Sequence, residues 1–296
     1  MAKKDYIKLE EKIIDIFRQE QQFNLAGNNY KIIQDKLGKP RPSKGGGETK
    51  TDVYILGIDD LGNEKELKIS VKLPNYEFIE NKITEERAEQ IFGRQWKDLL
   101  ANEIKKIAPL FHSTRLVNKT NRITLGWKLE IANKSTRALQ LEIAPGKEAI
   151  EEIYSGKKLV PEKRNGKING KIIENSGVAN YLLVSTEDEV NSTKDIIDMI
   201  QPISLMESNK ITLIFTGFTA TPLFKETETH TIPVDVEVKT DGDRPLVVYI
   251  DWVYNNVTKE LEPTIIFDDP LVTKGHEVMS SFKNAVKESL EDYTIS

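Results

Sequence analysis

The chain has 296 residues, of which 38% are hydrophobic and 30% charged, and its formal net charge is −5. This length and composition suit a folded protein of one large domain or two smaller ones rather than a disordered chain. Cysteine is absent and the three histidines are far apart in sequence, which excludes disulfides and thiolate chemistry and disfavours a histidine-based zinc site. No apolar run reaches the roughly 18 residues of a membrane helix and no signal-peptide pattern is present, so we expect a cytoplasmic protein with no membrane partner.

Positive charge is concentrated in two segments of the chain. Residues 91–140 carry ten basic and three acidic side chains, and residues 157–171 carry six basic and one acidic. Residues 225–296, by contrast, hold fifteen acidic and seven basic side chains. Such asymmetry is typical of a polyanion-binding face on an acidic body, although solvated helix faces and loops produce similar runs. The charge pattern alone leaves both interpretations open.

The first element predicted in chain order is a helix over residues 5–20, in which apolar side chains recur at helical spacing among acids and lysines. The recurring apolar residues are Ile7, Leu9, Ile13, Ile14 and Phe17. Glycine and asparagine at 27–29 interrupt this pattern, and residues 30–37 then predict a second, short helix.

A basic segment follows at residues 38–47, which we term the Gly-rich loop. Its two prolines and three consecutive glycines fit poorly inside a helix or a central strand, and glycine lets a backbone approach a ligand closely. Lys39, Arg41 and Lys44 give the loop its positive charge. The composition therefore predicts a loop that can contact an anionic ligand.

A β-hairpin is predicted directly after the Gly-rich loop. Residues 52–59 are rich in β-branched and aromatic side chains, and residues 60–63 have the composition of a turn. Residues 66–73 then alternate strictly between polar and apolar side chains until Pro74 ends the run. The polar face of this second strand carries Glu66, Lys68, Ser70 and Lys72. The hairpin therefore has one chemically unusual face.

The remainder of the chain predicts a mixture of helices and strands. A helix is expected over 85–107, with Thr84 as its N-cap and Pro109 as its stop. Later segments predict helices over 146–154, 193–200 and 277–290, a polar loop or loose hairpin over 156–170, and strands over 123–131, 139–143, 181–185, 211–216, 232–238, 246–253 and 264–267. This order of elements favours an α+β or mixed α/β fold.

Asp52 at the start of the first strand, with the acid, hydroxyl and lysine side chains of the second, resembles the site of the PD-(D/E)xK nuclease superfamily, and of type II restriction endonucleases in particular. The resemblance covers roughly residues 44–107. It implies a restriction-endonuclease-like core, with a central mixed β-sheet flanked by helices and with additional C-terminal strands. It also implies a nuclease core over 1–145 and a target-recognition and dimerisation part over 146–296, either separate or continuous with the core as one domain.

In that family, an aspartate on one strand and an acid-x-Lys motif on its antiparallel neighbour form the catalytic site. The acids bind Mg²⁺, and the lysine positions or activates the attacking water. Hydrolysis of a phosphodiester needs a hard cation held by oxygen ligands and a positioned nucleophile, and neither requires cysteine or histidine. The composition of the chain agrees with this chemistry.

Two lysines compete for the catalytic position, because both Glu66-Leu67-Lys68 and Ser70-Val71-Lys72 fit the second strand. If the turn lies at 60–63, the numbers of paired residues sum to about 122–124, which places Asp52 opposite Ser70 to Lys72. Glu66 then lies roughly 13–20 Å along the ladder from Asp52, too far to share one metal. We therefore favour Asp52, Ser70 and Lys72, while a bulge that shifts the register would favour the other pair.

Serine in the acid position departs from the family pattern and leaves the source of a second metal-binding carboxylate open. Glu48, just before the strand, is one candidate. The first helix offers Glu10, Glu11 and Glu20. An ordinary amphipathic hairpin with a solvated polar face is the alternative interpretation of the whole pattern.

The resemblance and the hairpin together predict a Mg²⁺-dependent endonuclease that cuts double-stranded DNA, as a sequence-specific type II restriction enzyme and a homodimer. Asp52 and Glu48 would bind the metal. Ser70 would orient a water or ligand, and Lys72 would position the nucleophile. Phosphate contacts would come from part of segment 91–140 and from Lys39, Arg41, Lys44 and Lys50. The alternatives are a non-catalytic nucleic-acid-binding or inhibitor protein, and a defence or counter-defence nuclease that reads modified DNA.

Overall fold

The computed structural model describes residues 4–81, 83–117, 122–133, 137–207, 210–226, 231–238 and 243–295. The helices, α1 to α8 in chain order, are Asp5–Glu20, Glu85–Phe92, Trp96–Lys106, Ala108–Ser113, Lys147–Ser155, Pro161–Arg164, Thr193–Met199 and Gly275–Ile295. The strands, β1 to β16 in chain order, are Gln22–Leu25, Asn28–Ile32, Arg41–Pro42, Val53–Ile58, Glu64–Lys72, Phe78–Glu80, Ile123–Ala132, Gln140–Ile143, Gly166–Ile168, Lys171–Ile172, Tyr181–Val184, Gln201–Pro202, Ile211–Glu226, Thr231–Val238, Val248–Asn255 and Glu260–Ile266. Short 3₁₀ helices cover Gln34–Lys36, Glu187–Glu189 and Ile203–Leu205.

The chain forms two compact units, and both are discontinuous in sequence. The first unit comprises residues 1–79 and 145–210, and the second comprises residues 80–144 and 211–296. The predicted division at 145 falls near one of the three points where the chain passes from one unit to the other, and the crossings near residues 80 and 210 were not predicted. The functions assigned to residues 1–145 and 146–296 stay predictions.

A mixed sheet forms the centre of the first unit. Its strands follow the order β1-β2-β4-β5-β11-β12, in which β5 and β11 are parallel and the other neighbours are antiparallel. Helix α1 lies against the sheet, because Leu9, Ile13 and Phe17 from the helix and Val53 and Ile69 from the strands belong to one buried apolar cluster. The coarse prediction of a mixed α and β fold is therefore confirmed. No helix within the described ranges is long and apolar enough to cross a membrane.

The β4–β5 hairpin keeps one register along its whole length. Val53 pairs with Ile69 and Ile58 pairs with Glu64, so the numbers of paired residues always sum to 122 and no bulge intervenes. The register expected from the turn at 60–63 is confirmed. Odd-numbered residues of the two strands face the apolar cluster beneath α1, and the polar residues of β5 lie on the opposite face.

The second unit contains a largely antiparallel sheet with the strand order β14-β13-β7-β15-β16. Phe111 of α4 lies at the centre of an aromatic cluster. Its ring centroid is 4.9 Å from that of Trp127 and 5.2 Å from that of Phe215. Trp127 is buried in this cluster. Its indole therefore belongs to the core of the second unit.

Two helix predictions are wrong for identifiable reasons. Residues 30–37 form the end of β2 and a 3₁₀ turn, because Ala26 and Gly27 both adopt positive φ angles and connect β1 to β2 as a tight hairpin. The helix expected over 85–107 is two helices separated at Gly93, which has a φ of 79°. Pro109 does not end a helix but lies in the first turn of α4, where its missing N–H is tolerated.

Candidate active site

Asp52 directly precedes β4, and the hairpin register places it opposite Ser70. The backbone N–H of Val71 donates a hydrogen bond to Asp52 Oδ2 at 2.8 Å, and the Ser70 hydroxyl is 3.5 Å from the same oxygen. The Asp52 N–H in turn donates to the Ile69 carbonyl at 2.8 Å. Only 19% of the Asp52 side chain is exposed. The carboxylate is therefore fixed by the neighbouring strand and largely shielded from water.

A second carboxylate reaches the same place from helix α1. Glu10 is on the buried face of α1, and only 7% of its side chain is exposed. The Lys39 ammonium lies 2.5 Å from Glu10 Oε2 and 3.8 Å from Asp52 Oδ1, so it joins the two acids. Of the carboxylates that helix α1 offered, Glu10 is the one that Lys39 joins to Asp52.

Burial raises the pKa values of both acids. Desolvation, with a contribution from the charge of Asp52, raises the pKa of Glu10 to about 6, although Lys39 acts in the opposite direction. Desolvation also raises the pKa of Asp52, while the charges of Lys72 and Lys39 partly offset it. For Lys39, partial burial acts to lower the pKa, but the carboxylates of Glu10 and Asp52 outweigh it and raise the pKa. Two acids whose ionised forms are disfavoured by burial thus share one cation, an arrangement found both in structural ion-pair networks and in cation-binding sites.

Ser70 and Lys72 approach Asp52 from the adjacent strand. Ser70 is 3% exposed, and its hydroxyl is close enough to orient the Asp52 carboxylate. Lys72 is half-buried at the end of β5, and its charge favours the ionised form of Asp52. In the part of the chain that the structure describes, the Lys72 side chain forms no salt bridge or hydrogen bond. Its ammonium is therefore available to a ligand near Asp52.

Glu66 and Lys68, the competing pair on β5, interact with each other and with Tyr54. Glu66 accepts a hydrogen bond from the Tyr54 hydroxyl at 2.5 Å, and the Lys68 ammonium lies 3.1 Å from Glu66 Oε2. The register places Glu66 opposite Leu56, four residues along β4 from Asp52. The structure therefore brings Lys72, and not the Glu66–Lys68 pair, to Asp52.

A cavity of about 700 Å³ opens beside the two acids. Glu10 and Asp52 line it, together with Lys39, Arg41, Gly45 and Gly47 of the Gly-rich loop and Glu48, which directly follows that loop. Glu48 is exposed, and its charge raises the pKa values of Glu10 and Asp52. The predicted metal ligand Glu48 is thus near the site, but it is less enclosed than Glu10.

The four predicted phosphate contacts lie in different surroundings. Arg41 is exposed on the cavity wall, and Lys44 is exposed on the same loop. Lys39 lies between the two acids, as described above. Lys50 is half-buried, and its ammonium donates to the Ile79 carbonyl at 3.4 Å, so its side chain is directed to another part of the unit.

The basic segment 91–140 belongs to the second unit. Its residues Lys119 and Lys134 lie outside the described residues. Lys97 is 3.5 Å from Glu85, and Lys105 is 3.7 Å from Asp268, so part of its charge is paired with carboxylates. The phosphate contacts predicted for this segment stay predictions.

The carboxylates of the site suit a magnesium ion bound through few protein ligands. Within the described ranges, no three histidine or carboxylate side chains are grouped closely enough to hold a metal by themselves. Magnesium, however, usually keeps several waters and is bound through one or two carboxylates and the phosphates of a substrate. Asp52 and Glu10 are two such carboxylates beside an open cavity, and the Lys39 ammonium between them marks a position where a cation is favourable. The donor set therefore fits Mg²⁺.

Glu10 was among the carboxylates that the sequence offered as a metal ligand, but it was not the one selected. Its sequence signal was present, because Glu10 lies three residues before Ile13 and seven before Phe17 and so occupies the apolar stripe of the helix. An acid in such a stripe must find a partner or a ligand when the helix packs.

No protein-family model, curated protein or solved structure matches this chain.

Glu10→Gln is expected to remove part of the pH dependence of stability in metal-free buffer. The folded-state pKa of Glu10 is raised from 4.5 to about 6, so the folded protein holds this proton more tightly than the unfolded chain. Glu10 thus contributes stability that is present below pH 4.5 and is lost as the pH rises through 6, on the order of 1 kcal/mol. Urea unfolding with EDTA at several pH values measures the difference between wild type and variant. A difference that stays constant from pH 4 to 8 contradicts the assignment.

Proposed function

We propose that this chain is a Mg²⁺-dependent endonuclease that hydrolyses phosphodiester bonds in double-stranded DNA. The observation that carries the proposal is the convergence of Asp52, Glu10 and Lys72 at one end of the β4–β5 hairpin, beside a cavity bordered by a basic loop. A buried acid, a second acid largely shielded from water and a lysine that forms no salt bridge are groups that can carry out metal-assisted phosphodiester hydrolysis.

Each residue has a distinct role in this proposal. Asp52 and Glu10 would hold the metal ion, which supplies Lewis-acid polarisation of the phosphoryl oxygen when bound. Ser70 and the Val71 N–H keep the Asp52 carboxylate in one orientation. Lys72 would position the attacking water or stabilise the charge that develops on the scissile phosphate. Lys39 would leave the two acids when the metal binds and would then be free to contact phosphate.

The finer parts of the proposal rest on the family resemblance alone. They are a restriction-endonuclease-like core, recognition of a specific base sequence, and a homodimer that cuts both strands. The mixed sheet that carries Asp52 and Lys72 on neighbouring antiparallel strands is compatible with such a core.

A non-catalytic nucleic-acid-binding protein is the second candidate. The small number of carboxylates favours it, because Ser70 stands where the family pattern has an acid and the described residues offer no group of three metal ligands. This candidate predicts binding that weakens with salt, no metal requirement and no strand breaks.

Cleavage of supercoiled plasmid DNA in Mg²⁺, in Ca²⁺ and in EDTA tests the proposal. We expect strand breaks with Mg²⁺ and none in EDTA. The absence of metal-dependent breaks across DNA of varied sequence and modification would favour the non-catalytic candidate.

Glu10→Gln is expected to lower both Mg²⁺ affinity and cleavage by at least about 100-fold, since even outer-shell partners of a metal contribute 10–100-fold. Glu11→Gln is the matched control, because Glu11 is exposed on the same helix and borders the same cavity. Calorimetric titration with Mg²⁺ and initial cleavage rates give the two readouts. Equal losses in both variants, or no loss in either, would remove Glu10 from the metal site.

A further inference from the structure

A small antiparallel sheet in the first unit places basic residues from two distant parts of the sequence side by side. Its strand order is β10-β9-β3, so it joins the Gly-rich loop to the basic segment 157–171. Arg41 on β3 pairs directly with Lys167 on β9, and both side chains are exposed. Like charges opposite each other on neighbouring strands destabilise a sheet. Such a pair therefore indicates that the surface serves an anionic ligand at some expense to stability.

A third cation lies against the Gly-rich loop. A Cβ atom at Gly47 would be 3.1 Å from Lys163 Cε and 3.2 Å from its Nζ, so the ammonium of Lys163 lies against the loop backbone. Gly47 has a φ of 99° and lines the cavity that contains Asp52. The Lys163 ammonium therefore lies against a residue that lines the cavity of the candidate active site.

The basic segment is tied to the catalytic strand through its backbone. The N–H groups of Lys50 and Thr51 donate to the Gly177 carbonyl at 3.0 and 3.2 Å, and the Gly177 N–H donates to the Arg164 carbonyl at 2.7 Å. A Cβ atom at Gly177 would fall 2.0 Å from the Lys163 carbonyl oxygen, so only glycine fits there. Lys163 is thereby fixed at a constant position relative to Thr51, the residue that precedes Asp52.

The basic residues of segment 157–171 differ in whether a carboxylate neutralises them. Lys171 lies 2.8 Å from Asp35, and Lys157 pairs with Glu151. Within the part of the chain that the structure describes, no carboxylate lies within salt-bridge distance of Arg41, Lys163 or Lys167. Arg41 thus lines the cavity, Lys163 lies against Gly47 of its wall and Lys167 pairs with Arg41. These three cations are uncompensated, while Lys157 and Lys171 of the same segment are compensated.

We propose that Arg41, Lys163 and Lys167 form a binding surface for the sugar-phosphate backbone of DNA, next to the phosphodiester that reaches Asp52. The proposal rests on the proposed function for the identity of the polyanion, and it extends the DNA-contacting surface to the segment that follows α5. The three cations contact phosphates and carry no base specificity.

Binding of a fluorescent 30-bp duplex in EDTA tests this surface without cleavage. The variant Lys163→Gln/Lys167→Gln is compared with Lys157→Gln/Lys171→Gln, which removes the same charge from the same segment. We expect the first variant to bind at least about tenfold more weakly, with a slope of log K against log salt that is smaller by about 1.8, or 0.9 for each lost phosphate contact. We expect the control to change binding less than about twofold, because its lysines are already paired.

Equal weakening of DNA binding in both variants would mean that only the net charge matters, and it would overturn the proposal. Unchanged binding by the first variant, or no binding by the wild type, would also overturn it.

The melting temperature provides a second readout. Lys167→Gln removes the repulsion with Arg41, so it is expected to raise or preserve the melting temperature while it weakens binding. A fall in both would indicate a structural role and would contradict the proposal. Failure of catalysis is distinguishable, since a chain that never cuts DNA can still give the expected binding difference.

Discussion

Asp52→Asn is expected to lower the rate of DNA cleavage by about 10³-fold or more while the fold is retained. The substitution removes a metal-binding charge, and Lewis-acid stabilisation of several kcal/mol corresponds to losses of this size at 1.36 kcal/mol for each factor of ten. The asparagine oxygen can still accept the hydrogen bond from the Val71 N–H that now reaches Asp52 Oδ2. Burial raises the pKa of Asp52, so a neutral side chain also removes an unfavourable buried charge.

Asp59→Asn is the matched control on the same hairpin. Asp59 accepts hydrogen bonds from the backbone N–H groups of Leu61 and Asn63 in the turn, at 2.9 and 2.8 Å, at the opposite end of β4. Its substitution is expected to lower the melting temperature by a few degrees and to leave cleavage within about twofold of wild type. Initial cleavage rates and thermal unfolding, measured on both variants, separate catalysis from stability. If Asp52→Asn cuts DNA within tenfold of the wild-type rate, Asp52 does not bind an essential metal.

The part of the site that lies on the hairpin could be predicted from sequence because the interactions are local. Strict alternation in residues 66–73 fixed which side chains share a face, and the turn composition at 60–63 fixed the register. Ladder geometry then placed Asp52 opposite Ser70 and far from Glu66. No long-range contact was needed for this step.

The rest of the site depends on contacts between residues that are distant in sequence. Glu10 and Lys39 meet because α1 packs across the sheet and the Gly-rich loop returns over its end, a packing that periodicity does not encode. Lys163 reaches Gly47 from the short helix α6, more than a hundred residues later in the chain. The chain also leaves the first unit near residue 80, returns near 145 and leaves again near 210, and the sequence pattern predicted a division only at 145.

Lys72→Ala is expected to reduce the rate of the chemical step by roughly 10²–10³-fold, the usual effect of removing one group that stabilises charge in a transition state. Lys68→Ala is the matched control, since Lys68 lies on the same face of β5 but forms an ion pair with Glu66 and is only 13% exposed. Loss of that largely buried partner is expected to lower stability by about 1 kcal/mol or more and to leave the cleavage rate nearly unchanged.

Single-turnover cleavage at saturating Mg²⁺ isolates the chemical step for both lysine variants. The effects on rate of substituting residues that act on the same reacting phosphate are not additive. The double variant Asp52→Asn/Lys72→Ala should therefore cleave DNA only a little more slowly than Asp52→Asn alone. A large loss in Lys68→Ala with normal cleavage by Lys72→Ala would move the catalytic site to the Glu66–Lys68 pair. That outcome would require Glu66 to recruit a second acid from outside the β4–β5 ladder, because the register separates it from Asp52 by four residues along β4.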